Sequence, residues 1–388
     1  MKKISLFEPN ISNLEKKMVM LSLNNNQISS YGSFTNLFIK EVQKITNSRY
    51  NLATSSGSSA LFLALKSLGI KKDEIVITQS YTFAATTNAI ILNHSIPLLL
   101  DISLENLNLD FDQLENFLDK YTFQKNRFTI HKKTKKKITC ICFVLTFGII
   151  PDLDRINFFK KKYNLKIIFD AACALGHKFK KQSLTKYCDA AIYSLNGNKN
   201  FTAGAGGIIS TDNYKYYNFA KKFANNGKIM NAYDYEMIGF NFNMSSLNAA
   251  LGLAQMKRYN KINKDKKKIR ECYSKSLSPI KQFNCNFKWG KYLPWINFFL
   301  SENKQQKKII IKELRKRNVM VNNFWLPMHK QPTKKFFLLT KYPNTEYVFE
   351  RILVLPSSTF LSLRVIKNIS QLLKKITMTT KKKNSKLK

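Results

Sequence analysis
The sequence predicts an α/β protein: a mainly parallel, mixed sheet sandwiched by helices, with a smaller α+β domain at the C-terminal end. Three observations carry this. Short apolar runs alternate with stretches of helical periodicity from about residue 33 to residue 260. Several of those runs end on Ser or Asp beside small-residue turns, as expected of strands whose carboxyl ends form a binding edge. The chain has 388 residues and is 44% apolar, enough for one large core and a second, smaller one.

Residues 1–30 read as an irregular arm with a short helix. Ser33–Thr46 has helical spacing (Phe34, Leu37, Phe38, Val42, Ile45), and a strand is expected at Tyr50–Ala53. Thr54–Gly69 is a strand-to-helix turn: Gly57 permits the bend, Ser58 and Ser59 open the helix, and Gly69 closes it. Strands follow at Glu74–Thr78, Ile96–Ile102, Lys137–Leu145, Leu165–Asp170, Cys188–Ser194 and Gly207–Ser210. Helices fill the intervals at Tyr81–Leu92, with Phe83 near its start, at Phe111–Tyr121, and after Pro151. Ser245–Tyr259 is a strong helix continued by a charged segment to Leu277. Short strands and loops then include Trp289–Leu300, and further helices are expected at Ile309–Arg317 and Leu361–Ile376. The expected domains are 1–255 with the arm, 256–376, and a basic disordered tail at 377–388.

No run of about 18 uncharged apolar residues occurs, and the first residues lack a signal-peptide core, so no membrane span is expected. Six scattered cysteines without a CxxC pair, and only four histidines, suggest neither a zinc site nor a disulfide framework. A reducing cytoplasm is the simplest setting. The formal net charge is +41, from 65 Lys and Arg against 24 Asp and Glu. Such a balance points toward nucleic acid or an anionic surface. Here the lysines are spread along the chain with abundant Asn, Ile and Phe, so base bias of the genome competes with that reading. The basic clusters at 131–137 and 381–388 read as a solvated loop and a frayed end, not interleaved with aromatic residues.

Residues 191–207, A-I-Y-S-L-N-G-N-K-N-F-T-A-G-A-G-G, set Lys199 between a polar turn and flexible glycines. A lysine so placed can be desolvated and used as an imine-forming amine; the alternative is a surface-loop lysine. Ser56–Ser59, Asp170 and Ser194–Lys199 are all expected at the carboxyl edge of the sheet. A helix N-terminus with free N–H groups and serine hydroxyls suits phosphate, although an ordinary serine cap reads the same way. Pyridoxal phosphate (PLP) needs an amine, a phosphate cradle, an acid for its ring nitrogen and a flat stacking surface. Lys199, the Ser56–Ser59 turn with Ser194, Asp170 and Phe83 match those needs.

The motifs S-S-G-S-S-A-L, Y-T-F-A-A-T-T-N-A, F-D-A-A-C-A-L-G, S-L-N-G-N-K, G-F-N-F-N-M-S-S-L-N-A-A-L-G-L-A-Q and F-W-L-P-M-H-K-Q-P resemble those of the DegT/StrS-type PLP-dependent sugar aminotransferases. The likeness runs from about Ser29 to Ile376. S-L-N-G-N-K is most similar to members that aminate 4-keto-6-deoxy nucleotide sugars, including those of bacillosamine and legionaminic-acid routes. The resemblance implies a PLP-dependent transferase fold of type I. It implies that Lys199 binds PLP and shuttles a proton, Asp170 pairs with the ring nitrogen and Phe83 stacks on the ring. Ser58, Ser59 and Ser194 would hold the phosphate, with Asn241 reaching in from the other subunit of a homodimer. His329 would line the nucleotide-sugar pocket, and glutamate is the implied donor. Cys173 stands where the family usually has Gln or His near the cofactor, Asn243 replaces a usual Arg, and Leu145 a frequent His.

The leading expectation is therefore a PLP-dependent aminotransferase acting on a nucleotide-linked keto-sugar for surface-glycan synthesis. A related aminotransferase acting on a 3-keto sugar or another ketone is the nearest alternative. A catalytically weakened basic protein that binds nucleic acid or anionic membrane is the contrasting one.

Overall fold
A computed structural model describes residues 3–229, 233–277 and 295–385. The chain opens with α1 (Asn13–Asn24) and α2 (Ser33–Thr46). It then alternates β1 (Tyr50–Thr54), α3 (Gly57–Ser67), β2 (Ile75–Gln79), α4 (Ala84–Leu92), β3 (Ile96–Leu100) and α5 (Phe111–Tyr121). A hairpin, β4 (Thr122–Lys125) and β5 (Phe128–His131), precedes β6 (Lys137–Val144), α6 (Leu153–Lys162) and β7 (Lys166–Asp170). The short pair β8 (Lys178–Phe179) and β9 (Gln182–Ser183) leads to β10 (Ala190–Ser194), β11 (Gly207–Thr211), α7 (Tyr214–Phe223) and α8 (Ser246–Lys257). The C-terminal lobe holds α9 (Tyr259–Leu277), β12 (Asn297–Leu300), α10 (Lys304–Arg315), α11 (Pro343–Arg351), β13 (Ile352–Leu355) and α12 (Leu363–Ser385).

The main sheet has the order β1-β11-β10-β7-β6-β2-β3, with the β4–β5 hairpin appended to β6. Strands β10, β7, β6, β2 and β3 are parallel neighbours, while β11 runs antiparallel to both β1 and β10. The expected mainly parallel, helix-sandwiched sheet is what forms. Its two faces separate by alternation along each strand. Ile167 and Phe169 pack with α2, α5, α6 and α8, whereas Ile168 packs with α3, α4 and α7. Burying each such side chain contributes about 1.5–3 kcal/mol.

Helix positions follow local chemistry. Ser56 caps α3 in a reciprocal pair with Ser59, Asp110 caps α5, and Asp152 caps α6. Helix α2 spans the expected residues and buries Phe34, Phe38 and Val42, but its Leu37 is exposed. A second core joins α9, α10, α12, β12 and β13 through Ile269, Tyr273, Phe299, Ile310 and Leu373.

Several expectations differ from the structure. Residues 4–10 of the arm lie on the C-terminal lobe, where Ile4 bridges Val319 and the Ser357 amide donates to the Leu6 carbonyl. The final helix does not stop at 376: α12 continues through Ser385, so the expected disordered tail is helical over that stretch. The hairpin β4–β5 and helix α11 were not expected; β4 has only one buried residue, so no alternating pattern marks it. The hairpin also lays Lys135 over the Phe123 ring and Lys137 over Phe128, so the 131–137 basic cluster does meet aromatic side chains. Of the expected Trp289–Leu300 segment, Trp289 to Pro294 lie outside the described residues.

Candidate active site
The strand registers build one edge. Thr54 at the end of β1 and Ser194 at the end of β10 both pair with Gly207, while Asp170 at the end of β7 pairs with Ile192. A Cβ on Gly207 would lie 2.3 Å from the Ser56 carbonyl, and one on Gly57 would lie 3.1 Å from the Ser194 Cβ. Both glycines therefore serve close approach of the α3 N-terminus to the strand ends. A cavity of about 430 Å³ opens there, and Ser58, Phe83, Asp170, Cys173, Ser194 and Lys199 all line it.

Asp170 is buried, its carboxylate accepting from Thr86 Oγ1 at 2.6 Å and from the Ala172 amide at 3.2 Å. Burial raises its pKa above the ordinary carboxylate value, opposed by those two bonds and by the Lys199 charge. Thr86 sits three residues after Phe83, one turn along, so α4 presents both toward the site. Phe83 itself is the N-cap of α4 and is 60% exposed at the cavity mouth.

The Lys199 amine donates to Cys173 Sγ at 3.3 Å and lies 4.2 Å from the Trp295 ring centroid. Burial pushes the Cys173 thiol up, and the Lys199 charge pulls it back. The Trp295 indole N–H donates to the Asn198 carbonyl at 2.6 Å, and its amide donates to Phe147 at 2.8 Å. Phe147 has a left-handed backbone (φ 55°) and is fully buried, its ring tilted against Trp325 with centroids 5.1 Å apart. A buried aromatic held in that conformation costs about 1–2 kcal/mol, which the surrounding packing must offset.

Two predicted residues, Ser59 and His329, are placed away from the cavity lining. Ser59 lies outside the cavity lining, because its hydroxyl is used in the α3 cap, accepting from the Ser56 amide and donating to the Ser56 carbonyl. His329 does not line the cavity: its ring bonds Ser80 at 2.6 Å, stacks on Tyr342 at 4.2 Å and approaches Glu346 at 3.4 Å. Burial lowers its pKa, the Glu346 contact opposing that. Asn241 is exposed and outside this chain's cavity, bridging Asn225. Of the departures, Leu145 lines the cavity and Asn243 donates to Asn225.

Trp295 and Phe147 were not singled out from the sequence, and Phe324 and Trp325 were noted only within the F-W-L-P motif. Lone aromatics in irregular segments carry no local signal; the pairing of β12 with β13 brings Trp295 into place.

Does PLP fit this cavity? Asp170 is a buried carboxylate whose own-chain bonds leave it facing the cavity, and the glycine cradle keeps the α3 N-terminus open beside Ser194. With an amine at hand, the donor set suits an anionic, basic-ring aldehyde. The fit holds.

The family model for the DegT/DnrJ/EryC1/StrS aminotransferases matches residues 9–374. GDP-perosamine synthase of Escherichia coli O157:H7 is 27% identical over 365 residues, 93% of this chain and 95% of that protein. The 3-oxo-glucose-6-phosphate:glutamate aminotransferase of Bacillus subtilis is 31% identical over 229 residues, 58% of this chain and 47% of that protein. The PLP form of Spr1654 from Streptococcus pneumoniae shares the fold, with a TM-score of 0.86 at 23% identity over 97% of this chain and 99% of that one. The chain belongs to the DegT/DnrJ/EryC1/StrS family and is a PLP-dependent aminotransferase.

Proposed function
We propose that this chain transfers an amino group to the keto carbon of a nucleotide-linked sugar, with Lys199 as the catalytic residue and glutamate as the donor. The observation that carries the reading is the convergence of Lys199, Asp170, Ser58 and Ser194 on one cavity. PLP bound there supplies the electron sink that eases proton loss from the carbon bearing the amino group. Asp170 keeps a proton on the ring nitrogen, and Phe83 covers the ring. Ser58, Ser194 and the open α3 N-terminus hold the phosphate. Lys199 would anchor the cofactor and carry a proton to or from the carbon that bears the amino group, glutamate's in one half-reaction and the sugar's in the other. Trp295, Phe324 and Trp325 form an aromatic wall that excludes water and gives a sugar ring an apolar face.

A 4-keto-6-deoxy sugar is the acceptor we favour, on the S-L-N-G-N-K motif and the likeness to a GDP-perosamine synthase. A 3-keto sugar is the second reading, on the likeness to the 3-oxo-glucose-6-phosphate enzyme, which also names glutamate. Surface-glycan synthesis in the cytoplasm is the setting this reading implies. No described helix is long and apolar enough to cross a membrane.

A second copy of the chain completes the site in this reading. Tyr233 (85% exposed), Ile238 (91%) and Phe240 are exposed in the same segment as Asn241, an apolar stretch suited to burial against a partner. The test is transamination from glutamate across UDP-, GDP- and dTDP-linked keto-sugars, with amino-sugar detected by mass. Turnover confined to one nucleotide and one keto position identifies the acceptor. No turnover with any member, from a protein that takes up PLP, overturns the nucleotide-sugar assignment.

A further inference from the structure
Lys266, on α9, is a buried lysine that the aminotransferase reading does not use. Its amine donates to the Trp295 carbonyl at 2.7 Å and to the Ser357 carbonyl at 2.9 Å. It shares a small polar cleft with Lys199, Asn198 and the arm residues Phe7, Glu8 and Asn10. Trp295 is thus held at three points: its amide by Phe147, its carbonyl by Lys266 and its indole by Asn198, next to Lys199. Ser357 in turn grips the arm through Leu6, and Tyr273, two turns along α9, donates to the Pro356 carbonyl at 3.0 Å. A buried ammonium is costly, and one that donates to two carbonyls from different segments ties those segments together.

We propose that Lys266 is a positioning residue: its buried ammonium fixes the Trp295 wall against Lys199 and so couples the C-terminal lobe to the catalytic amine. The proposal rests on the aminotransferase reading for its catalytic consequence, but not for its structural one. Burial pushes the Lys266 pKa down to about 7, with Cys173 opposing. The two carbonyls favour the protonated form, which donates most strongly. The titratable groups facing it are Cys173 and Lys199 from the large lobe and Glu8 from the arm. On its own helix, Ile262 and Ile269 pack alongside. Asp265 and Lys267 flank it, pairing outward with Lys261, Lys268 and Glu271. As pH rises through about 7 the ammonium is neutralised and its hold on Trp295 weakens.

Wild type, Lys266→Met and Lys266→Arg separate this from a merely structural role. The first readout needs no cofactor: acrylamide quenching of Trp295 emission in a Trp289→Phe, Trp325→Phe background. Trp295 is expected to be protected in wild type at acid pH and more quenchable as pH rises through neutrality. It should be quenchable throughout in the Met variant and protected throughout in the Arg variant. The second is steady-state turnover of PLP-loaded enzyme without the background substitutions. Losing a charged hydrogen bond lowers kcat about ten- to hundred-fold in Lys266→Met with KM little changed. Lys266→Arg recovers most of it and loses the alkaline fall. Equal quenching in wild type and the Met variant overturns the proposal, as does an Arg variant with the wild-type pH dependence. If the Met variant does not fold, the Arg comparison decides alone. Absence of turnover in wild type with the quenching pattern intact strikes the nucleotide-sugar reading and leaves the positioning role standing.

Discussion
The cavity has two walls of different origin. The wall at the sheet edge is assembled from strand ends and the helix start that follows them, so each part is a short contiguous motif. The facing wall, Trp295 with Phe324 and Trp325, comes from irregular segments held in place by hydrogen bonds over long sequence separations. In the proposed function the first would carry the chemistry of the cofactor and the second would close the cavity over it. Local motifs make the first wall tolerant of change elsewhere, whereas the second depends on the whole C-terminal lobe.

Substitutions at the sheet edge should have the largest effects. In the proposed mechanism Asp170→Asn removes the acid that would keep the ring nitrogen protonated, and turnover should fall by orders of magnitude with the cofactor still bound. The same variant tests the electrostatics without PLP. Burial raises the Asp170 pKa in the folded chain above its unfolded value, so the folded form binds the proton more tightly. Stability from this group is present at low pH and lost as pH rises through the raised value. Cofactor-free Asp170→Asn should therefore melt higher than wild type at pH 7, and the gap should close in acid. A constant gap would remove burial as the cause.

Gly207→Ala comes next. Its Cβ would meet the Ser56 carbonyl at 2.3 Å, so the α3 N-terminus must shift, costing about 1–3 kcal/mol of stability by overpacking. PLP affinity should fall with it, read by spectral titration. An unchanged phosphate site would show that the cradle does not need that approach. A smaller effect is expected at Phe83→Ala: losing one stacking face weakens PLP binding by about 0.5–1.5 kcal/mol, with the melting temperature near wild type because the ring is exposed.

His329→Ala should change the site least. Its ring is occupied by Ser80, Tyr342 and Glu346, so thermal stability should fall while PLP affinity stays within about twofold of wild type. A large loss of sugar-nucleotide affinity with unchanged stability would return His329 to the substrate pocket.

The same division explains what could be read from residues alone. The parallel sheet, α2, α5 and the Ser58–Asp170–Ser194–Lys199 set follow from periodicity and from turn residues next to strands, which are local. Ser59 shows the limit of such reading: a capping serine and a phosphate-binding serine have the same sequence signature, and only the structure shows its hydroxyl accepting from the Ser56 amide. Trp295 and Lys266 stood in segments whose charge or irregularity looked like surface. Lys266 sits amid six other charged residues in 261–270, and nothing local says that one of them turns inward.

The central claim is that Lys199 is the amine to which PLP attaches. Titrating PLP into purified wild type and Lys199→Ala, then reducing with borohydride and locating the modified peptide, tests it most directly. The account predicts near-UV absorbance that survives dialysis and a phosphopyridoxyl group on Lys199 in wild type, with neither in the alanine variant. A modified residue other than Lys199 in wild type, or equal labelling of both proteins, would contradict it.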